Sequence, residues 1–188
     1  VSILALALSL ARFSSLEAST ETWTANSPID SHWTRNLNWD GAGGAGPDDD
    51  LIFGSINSNN SPNPSPFDPF NDFAVNTRFH SIAVSNSAYV ITGNQILLSA
   101  GLTNSASNIP SPGNAAGPTF GFNILLDANQ TFSNPGVDPL LLTGVVGLNG
   151  HTLTLTSGTG QGPTFNGALS DNGNWLAAST GAGAHNGT

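Results

Sequence analysis

The segment Ile91-Thr-Gly-Asn-Gln-Ile-Leu-Leu-Ser-Ala-Gly101 lines up with Leu148-Asn-Gly-His-Thr-Leu-Thr-Leu-Thr-Ser-Gly158 at an offset of 148 − 91 = 57 residues. In this register Gly93 falls on Gly150, Ile96 on Leu153, Leu98 on Leu155 and Gly101 on Gly158. An apolar residue, a turn glycine, an alternating strand and a closing glycine make a unit that turns tightly and stacks its inward side chains on a neighbouring copy. The offset suits two or three rungs of roughly 19–28 residues. Phe120 to Leu126 and Leu140 to Val146 supply the rungs between.

Outward from this pair the same texture continues. Ile82-x-Val84, Tyr89-x-Ile91, Ile124-x-Leu126 and Leu153-x-Leu155 alternate with polar residues and are bounded by Gly, Asn, Ser or Pro, which predicts short strands. After Ala18 no stretch shows a capped 3.6-residue apolar period, so helix should be scarce. The expected fold is all-β, a β-solenoid of stacked rungs over 79–188. A β-sandwich with two similar hairpins is the alternative.

Composition narrows the function classes. The 188 residues carry a net charge of −9, with 12 acidic groups against three arginines, Arg12, Arg35 and Arg78, and no lysine. A surface that neutralises phosphates is missing, so nucleic acid is excluded as a partner. With no cysteine there is no disulfide framework, thiol nucleophile or Cys-type metal site. Nine of the acidic residues precede Phe73, and from Phe79 to Ser170 the only formal charges are Asp127 and Asp138. The outside of the strands is therefore built from hydroxyl and amide side chains.

Two stretches differ from this body. Val1 to Ala11 is an apolar run of the length of a secretory h-region and too short to span a bilayer as a helix. Residues 1–18 are expected to be an export signal cleaved near Ala11 or Ala18, leading to a secreted or cell-surface location. Ser55 to Asp72 holds four prolines and five asparagines, so 55–78 reads as a loop insertion with polyproline character, anchored by Phe67, Phe70 and Phe73. Those rings could alternatively form an exposed aromatic patch.

Three motifs could carry chemistry. Gly41-x-Gly43-x-x-Gly46 formally matches a dinucleotide fingerprint, yet it follows Trp39-Asp40 and precedes Pro47 and three aspartates, an environment that repels a pyrophosphate. Cofactor binding is not expected. Asp48, Asp49 and Asp50 are hard oxygen donors after a glycine-rich turn and could hold Ca²⁺, against a solvated turn leading into a strand. Trp23, Trp33 and Trp39 could stack on sugar rings as a carbohydrate-binding module, or close the terminal rung, whose open edge would invite aggregation. His151 falls on Asn94 in the internal alignment, an ordinary turn position, and His32, His80 and His185 are scattered. No catalytic constellation emerges, so no enzyme activity is expected. A polysaccharide-degrading enzyme is the less favoured reading.

The order of motifs from Trp23-Thr24 through Trp33-Thr34, Asn38-Trp39, Gly41 to Gly46, Pro47, Asp48 to Asp50 and Leu51-Ile52-Phe53-Gly54 resembles bacterial passenger proteins with autotransporter-associated β-strand repeats. Phe79-His-Ser-Ile82, Tyr89 to Asn94, Asn129 to Phe132 and Leu148 to Leu155 continue the resemblance. The proline-rich connector is longer than is usual in that family, and its glycine-rich repeat is only faintly echoed in Trp175 to Gly183. The resemblance implies a right-handed parallel β-helix, with residues 19–54 as a Trp-rich cap and first strand. It also implies display at a bacterial surface in a structural or adhesive role, continuation into further rungs, and no catalytic residues. Cell-surface glycans or other extracellular matrix components are the partners such a role would offer.

Overall fold

In the computed structural model residues 18–56, 61–107, 117–158, 162–171 and 177–179 are described. The apolar run Val1 to Ala11, His185 and most of Trp175 to Gly183 lie outside these residues. The described chain is all-β, with one 3-10 turn at Asn36–Asn38 and no α-helix.

Fifteen strands follow one another: β1 Thr20–Thr22, β2 Asp50–Phe53, β3 Phe70–Asn71, β4 Thr77–Val84, β5 Val90–Gly93, β6 Ile96–Asn104, β7 Thr119–Phe120, β8 Ile124–Leu126, β9 Gln130–Asn134, β10 Leu141–Leu142, β11 Val146–Gly147, β12 Leu153–Ser157, β13 Thr164–Phe165, β14 Leu169–Ser170 and β15 Ala177–Ser179. They form a ten-stranded and a five-stranded sheet. Every pairing between these strands is parallel, and except for β1, β3, β13, β14 and β15, which have one partner strand each, the strands pair on both sides with earlier and later passes of the chain.

The pairings sort into three columns. The first runs β3, β5, β7, β10, β13. A second runs from the start of β4 through the start of β6 to β8, β11 and β14. The third runs from β1 and β2 through the ends of β4 and β6 to β9, β12 and β15. Inward residues stack down each column: Leu51, Ile82, Leu102, Phe132 and Leu155 in the third, Ile96, Ile124, Val146 and Leu169 in the second, Ile91, Phe120, Leu142 and Phe165 in the first. Most of these are fully buried and together with the tryptophans make one continuous core. The strict alternation of burial, as in Gln130–Asn134, is the pleat of a sheet with one face inside.

The recurrence seen in the sequence stacks in a different register from the one expected. Ile91 reaches Leu142 through Phe120, an offset of 142 − 91 = 51, and Leu102 reaches Leu155 through Phe132, an offset of 155 − 102 = 53. The copies are two passes apart, but Gly93 does not fall on Gly150. The reason is that the aligned strands lie in different columns, Ile96 to Leu98 in the second and Leu153 to Leu155 in the third, on either side of a corner whose length changes. Phe79 to Ser81 faces Leu98 to Gly101, Leu98 to Leu102 faces Leu126 to Phe132, Leu125 to Gln130 faces Gly147 to Leu153, and Gly147 to Leu153 faces Ser170 to Ala177. This corner therefore gains one, two, one and one residues at successive passes, and β4 and β6, continuous strands early on, become two strands each time later.

Residues 61–78 are built into the fold. Asn63 is buried, Phe67 packs on Tyr89 at 5.4 Å, Phe73 on Phe79 at 5.5 Å, and Phe70 starts the first column with its ring outward beside His32.

Candidate functional site

The amino-terminal layer closes one end of the ten-stranded sheet. β1 uses one edge to pair with β2, and the chain then folds back so that Asn38 to Asp40 run antiparallel along the other edge. Thr24 N–H donates to Asn38 C=O at 2.7 Å, Asp40 N–H to Thr22 C=O at 3.0 Å, and Thr22 N–H to Asp40 Oδ1 at 2.7 Å. This antiparallel cover occupies backbone groups that would otherwise template another strand.

Beneath it the three indoles interlock. Trp23 and Trp39 meet edge-on at 5.1 Å, and Trp33 touches Trp39, Phe53, Phe79 and Phe122 at 5.5 to 6.1 Å. Trp23, Trp33 and Trp39 are 2, 0 and 4 % exposed. Trp23 Nε1 donates to Pro66 C=O and Trp39 Nε1 to Trp33 C=O. The structure thus brings the three predicted residues together in the interior, where Trp39 meets both of the others edge to face and the buried rings present no platform to a sugar ring.

The three aspartates are not brought together. Asp48 binds Arg78, whose guanidinium holds the Asp48 carboxyl below the usual carboxylate range, and the Arg78 cation is stabilised in return. Asp49 turns inward and accepts from Ser19 Oγ at 2.6 Å and from Gly46 N–H at 2.7 Å. Asp50 meets His80 Nδ1 at 2.7 Å and the Ser81 hydroxyl. Among the described residues no group of three His, Asp or Glu side chains stands close enough to hold a metal ion. The glycine-rich turn is likewise occupied by the chain's own carboxylates, since Gly41 N–H donates to Glu21 Oε2 at 3.1 Å. A Cβ at Gly41 would sit 2.0 Å from that oxygen. Amides engaged in this way are not free to cradle a phosphate.

Composition did not single out the place where the outer surface opens. At the widening corner between the second and third columns, Leu125, Gly147, Asn149, Ser170 and Asp171 line a cleft of about 230 Å³. Leu125, Gly147 and Ser170 are successive outward residues of β8, β11 and β14. The cleft exists because position 147 has no side chain, as a Cβ there would lie 2.4 Å from Leu125 Cδ2. Asn149 and Gly150 make the turn with φ of 51° and 80°. The turn is fixed by Asn149 Nδ2 donating to Leu126 C=O at 3.2 Å and Gly150 N–H donating to Asp171 Oδ1 at 3.2 Å. On the same edge Asp127 lies 3.5 Å from Arg78, extending the Asp48–Arg78 pair toward the cleft. Asp127 was visible in the sequence as an isolated charge in a neutral stretch, but so was Asp138, and Asp171 falls just beyond that stretch, so isolation of charge alone does not mark the corner.

Comparison with protein-family models, with curated proteins and with solved structures found no match to this chain.

Proposed function

We propose that this chain is an exported, non-enzymatic β-solenoid, a right-handed parallel β-helix that serves as a structural or adhesive passenger at a bacterial surface. The observation that carries the reading is the set of three parallel columns, in which each pass of the chain from β3 onward contributes one segment to every column and stacks on the pass before it. A sandwich of hairpins would pair its neighbours antiparallel. Stacked passes satisfy their backbone groups with one another and lengthen a rod by about 4.8 Å per pass. In this reading the tryptophan layer and the fold-back of Asn38 to Asp40 form the terminal cap that repeat architectures require. The apolar run at Val1 to Ala11 supports export, and the resemblance to autotransporter-associated repeat proteins supports surface display.

Expression of the full chain in a bacterial host, followed by cell fractionation and amino-terminal sequencing of the product, tests the proposal. Product outside the cytoplasm beginning between about residues 12 and 21 is expected. Product retained in the cytoplasm with Ile3 to Leu10 intact would overturn the passenger reading.

A further inference from the structure

We propose that the cleft at the widening corner binds one uncharged pyranose residue of an extracellular glycan, the contact through which an adhesive role would act. The inference rests on the adhesive reading but on separate observations, and the experiment below reads binding rather than export.

Size, shape and charge each restrict the ligand. At about 230 Å³ the cleft is smaller than the 300–1,000 Å³ typical of sites for drug-sized molecules, and suits a single ring. Its floor is the half-buried Leu125, opened by the missing side chain at Gly147. Its rim carries Asn149, Ser170 and Asp171. Asn149 Nδ2 and Asp171 Oδ1 are engaged with backbone groups, which positions both side chains. Asn149 Oδ1, Asp171 Oδ2 and Ser170 Oγ have no hydrogen-bond partner among the described residues and remain as acceptors for hydroxyl donors. A pyranose ring offers the matching surfaces, an apolar C–H face for the leucine and a rim of hydroxyls for the polar edge. A planar carboxylate and a planar amide fixed at a rigid sheet corner lose little freedom on binding such a ligand.

The charges exclude other ligands. Asp171 on the rim and Asp127 along the same edge repel uronates, sulfates and phosphates, and the neighbouring cation, Arg78, is committed to Asp48 and Asp127. A divalent cation is disfavoured by the leucine floor and by the lack, among the described residues, of a group of three acidic or histidine ligands. The cleft lies over β8, β11 and β14, where each pass is broken into two strands at the corner.

The test is titration calorimetry of the purified protein with neutral oligosaccharides built from glucose, galactose, mannose or N-acetylglucosamine, with oligogalacturonate as the charged control. Binding of at least one neutral saccharide and none of the uronate is expected. Asp171→Ala, which removes a rim acceptor, and Gly147→Leu, which fills the cleft, should each weaken that binding by about tenfold or more with the β-type circular dichroism unchanged. If Gly147→Leu does not fold, Asp171→Ala decides alone. Absence of binding to every neutral saccharide, tighter binding of the uronate, heat released only with Ca²⁺, or binding untouched by Asp171→Ala would each overturn the proposal, and none of these would affect the result of the export experiment.

Discussion

Single buried polar residues hold the amino-terminal layer in shape. Asn38 is completely buried and uses both ends of its side chain. Nδ2 donates to the carbonyls of Asp30 and His32 at 3.0 and 3.1 Å, and Oδ1 accepts from Ser27 N–H at 2.9 Å and Asn63 Nδ2 at 3.3 Å. Asn63 in turn accepts from Ser31 and Ser65, so one amide pair ties the tryptophan segment to the proline-rich one. Truncation would strand several buried groups at once, each costing about 1–3 kcal/mol. Asn38→Ala is expected to lower the unfolding free energy by about 3 kcal/mol or more, measured as a drop in the urea midpoint at constant slope. A loss under about 1 kcal/mol would mean that water replaces the amide. Trp33 works through packing alone, since it touches four aromatic rings and its Nε1 has no partner among the described residues. Trp33→Ala should cost about 3–5 kcal/mol. Both residue types were legible in the sequence, but their burial was not. Clustered indoles suit a terminal cap and also a ligand platform, and an Asn-Pro-rich stretch reads as a loop, until the partner 25 residues away comes into contact.

At the scale of elements, what was legible is the alternation and what was hidden is the register. Strands such as β9 and β12 stand out because apolar and polar residues alternate, a property of each strand by itself. Which residue lies on which across passes depends on the connections, and an alternating pattern fits equally well when slid by two residues. The alignment at an offset of 57 set Ile96 to Leu98 of the second column on Leu153 to Leu155 of the third, whereas Ile91 recurs at an offset of 51 within its own column; the cleft lies at the corner between those two columns, so the candidate site was illegible for the same reason as the register. The structure shows a better marker of register in the glycines whose Cβ position is filled by the neighbouring pass. A Cβ at Gly144 would lie 2.1 Å from Phe122 C=O, and one at Gly167 would lie 2.1 Å from Gly144 C=O. These contacts are with backbone and cannot yield by a side-chain rotation. Gly144→Ala should force adjacent passes apart and cost about 2 kcal/mol or more, whereas Gly43→Ala, with nothing within 4 Å of its Cβ, should stay within about 0.5 kcal/mol of the parent. Thermal unfolding of the two variants side by side checks the contrast, and equal melting temperatures would refute the close stacking at that corner.

Across the whole molecule the charge asymmetry noticed in the sequence becomes a difference in how the two ends are held. From β4 onward the passes are held by stacked apolar side chains and buried amides such as the Asn104 to Asn134 bond of 2.6 Å. The amino-terminal layer is held in addition by carboxylates acting as acceptors. Asp40 takes Thr22 N–H, Glu21 takes Gly41 N–H, Asp49 takes Gly46 N–H, and Asp72 takes Thr34 N–H. Asp30 pairs with Arg35 and Asp48 with Arg78, while His32 and His80 face Asp72 and Asp50. Hydrogen bonds to Arg35 and Arg78 hold Asp30 and Asp48 below the usual carboxylate range in the folded protein. Their contribution is therefore complete above the unfolded value of about 3.9 and is lost as pH falls through the lower folded values. Acid should then loosen the amino-terminal layer before the passes from β4 onward, which carry few titratable groups. Trp23, Trp33 and Trp39 report on that layer, and Trp175→Phe removes the one other indole of the chain. In this variant a pH titration from 6 to 2 should show the tryptophan emission shifting to the red at a higher pH than the loss of far-ultraviolet β signal. Raised salt should move the emission midpoint upward by screening the two exposed arginine pairs. Coincident midpoints for the two signals would show that the layer and the stacked passes unfold as one cooperative unit, and that the carboxylates do not set the stability of the amino-terminal end separately.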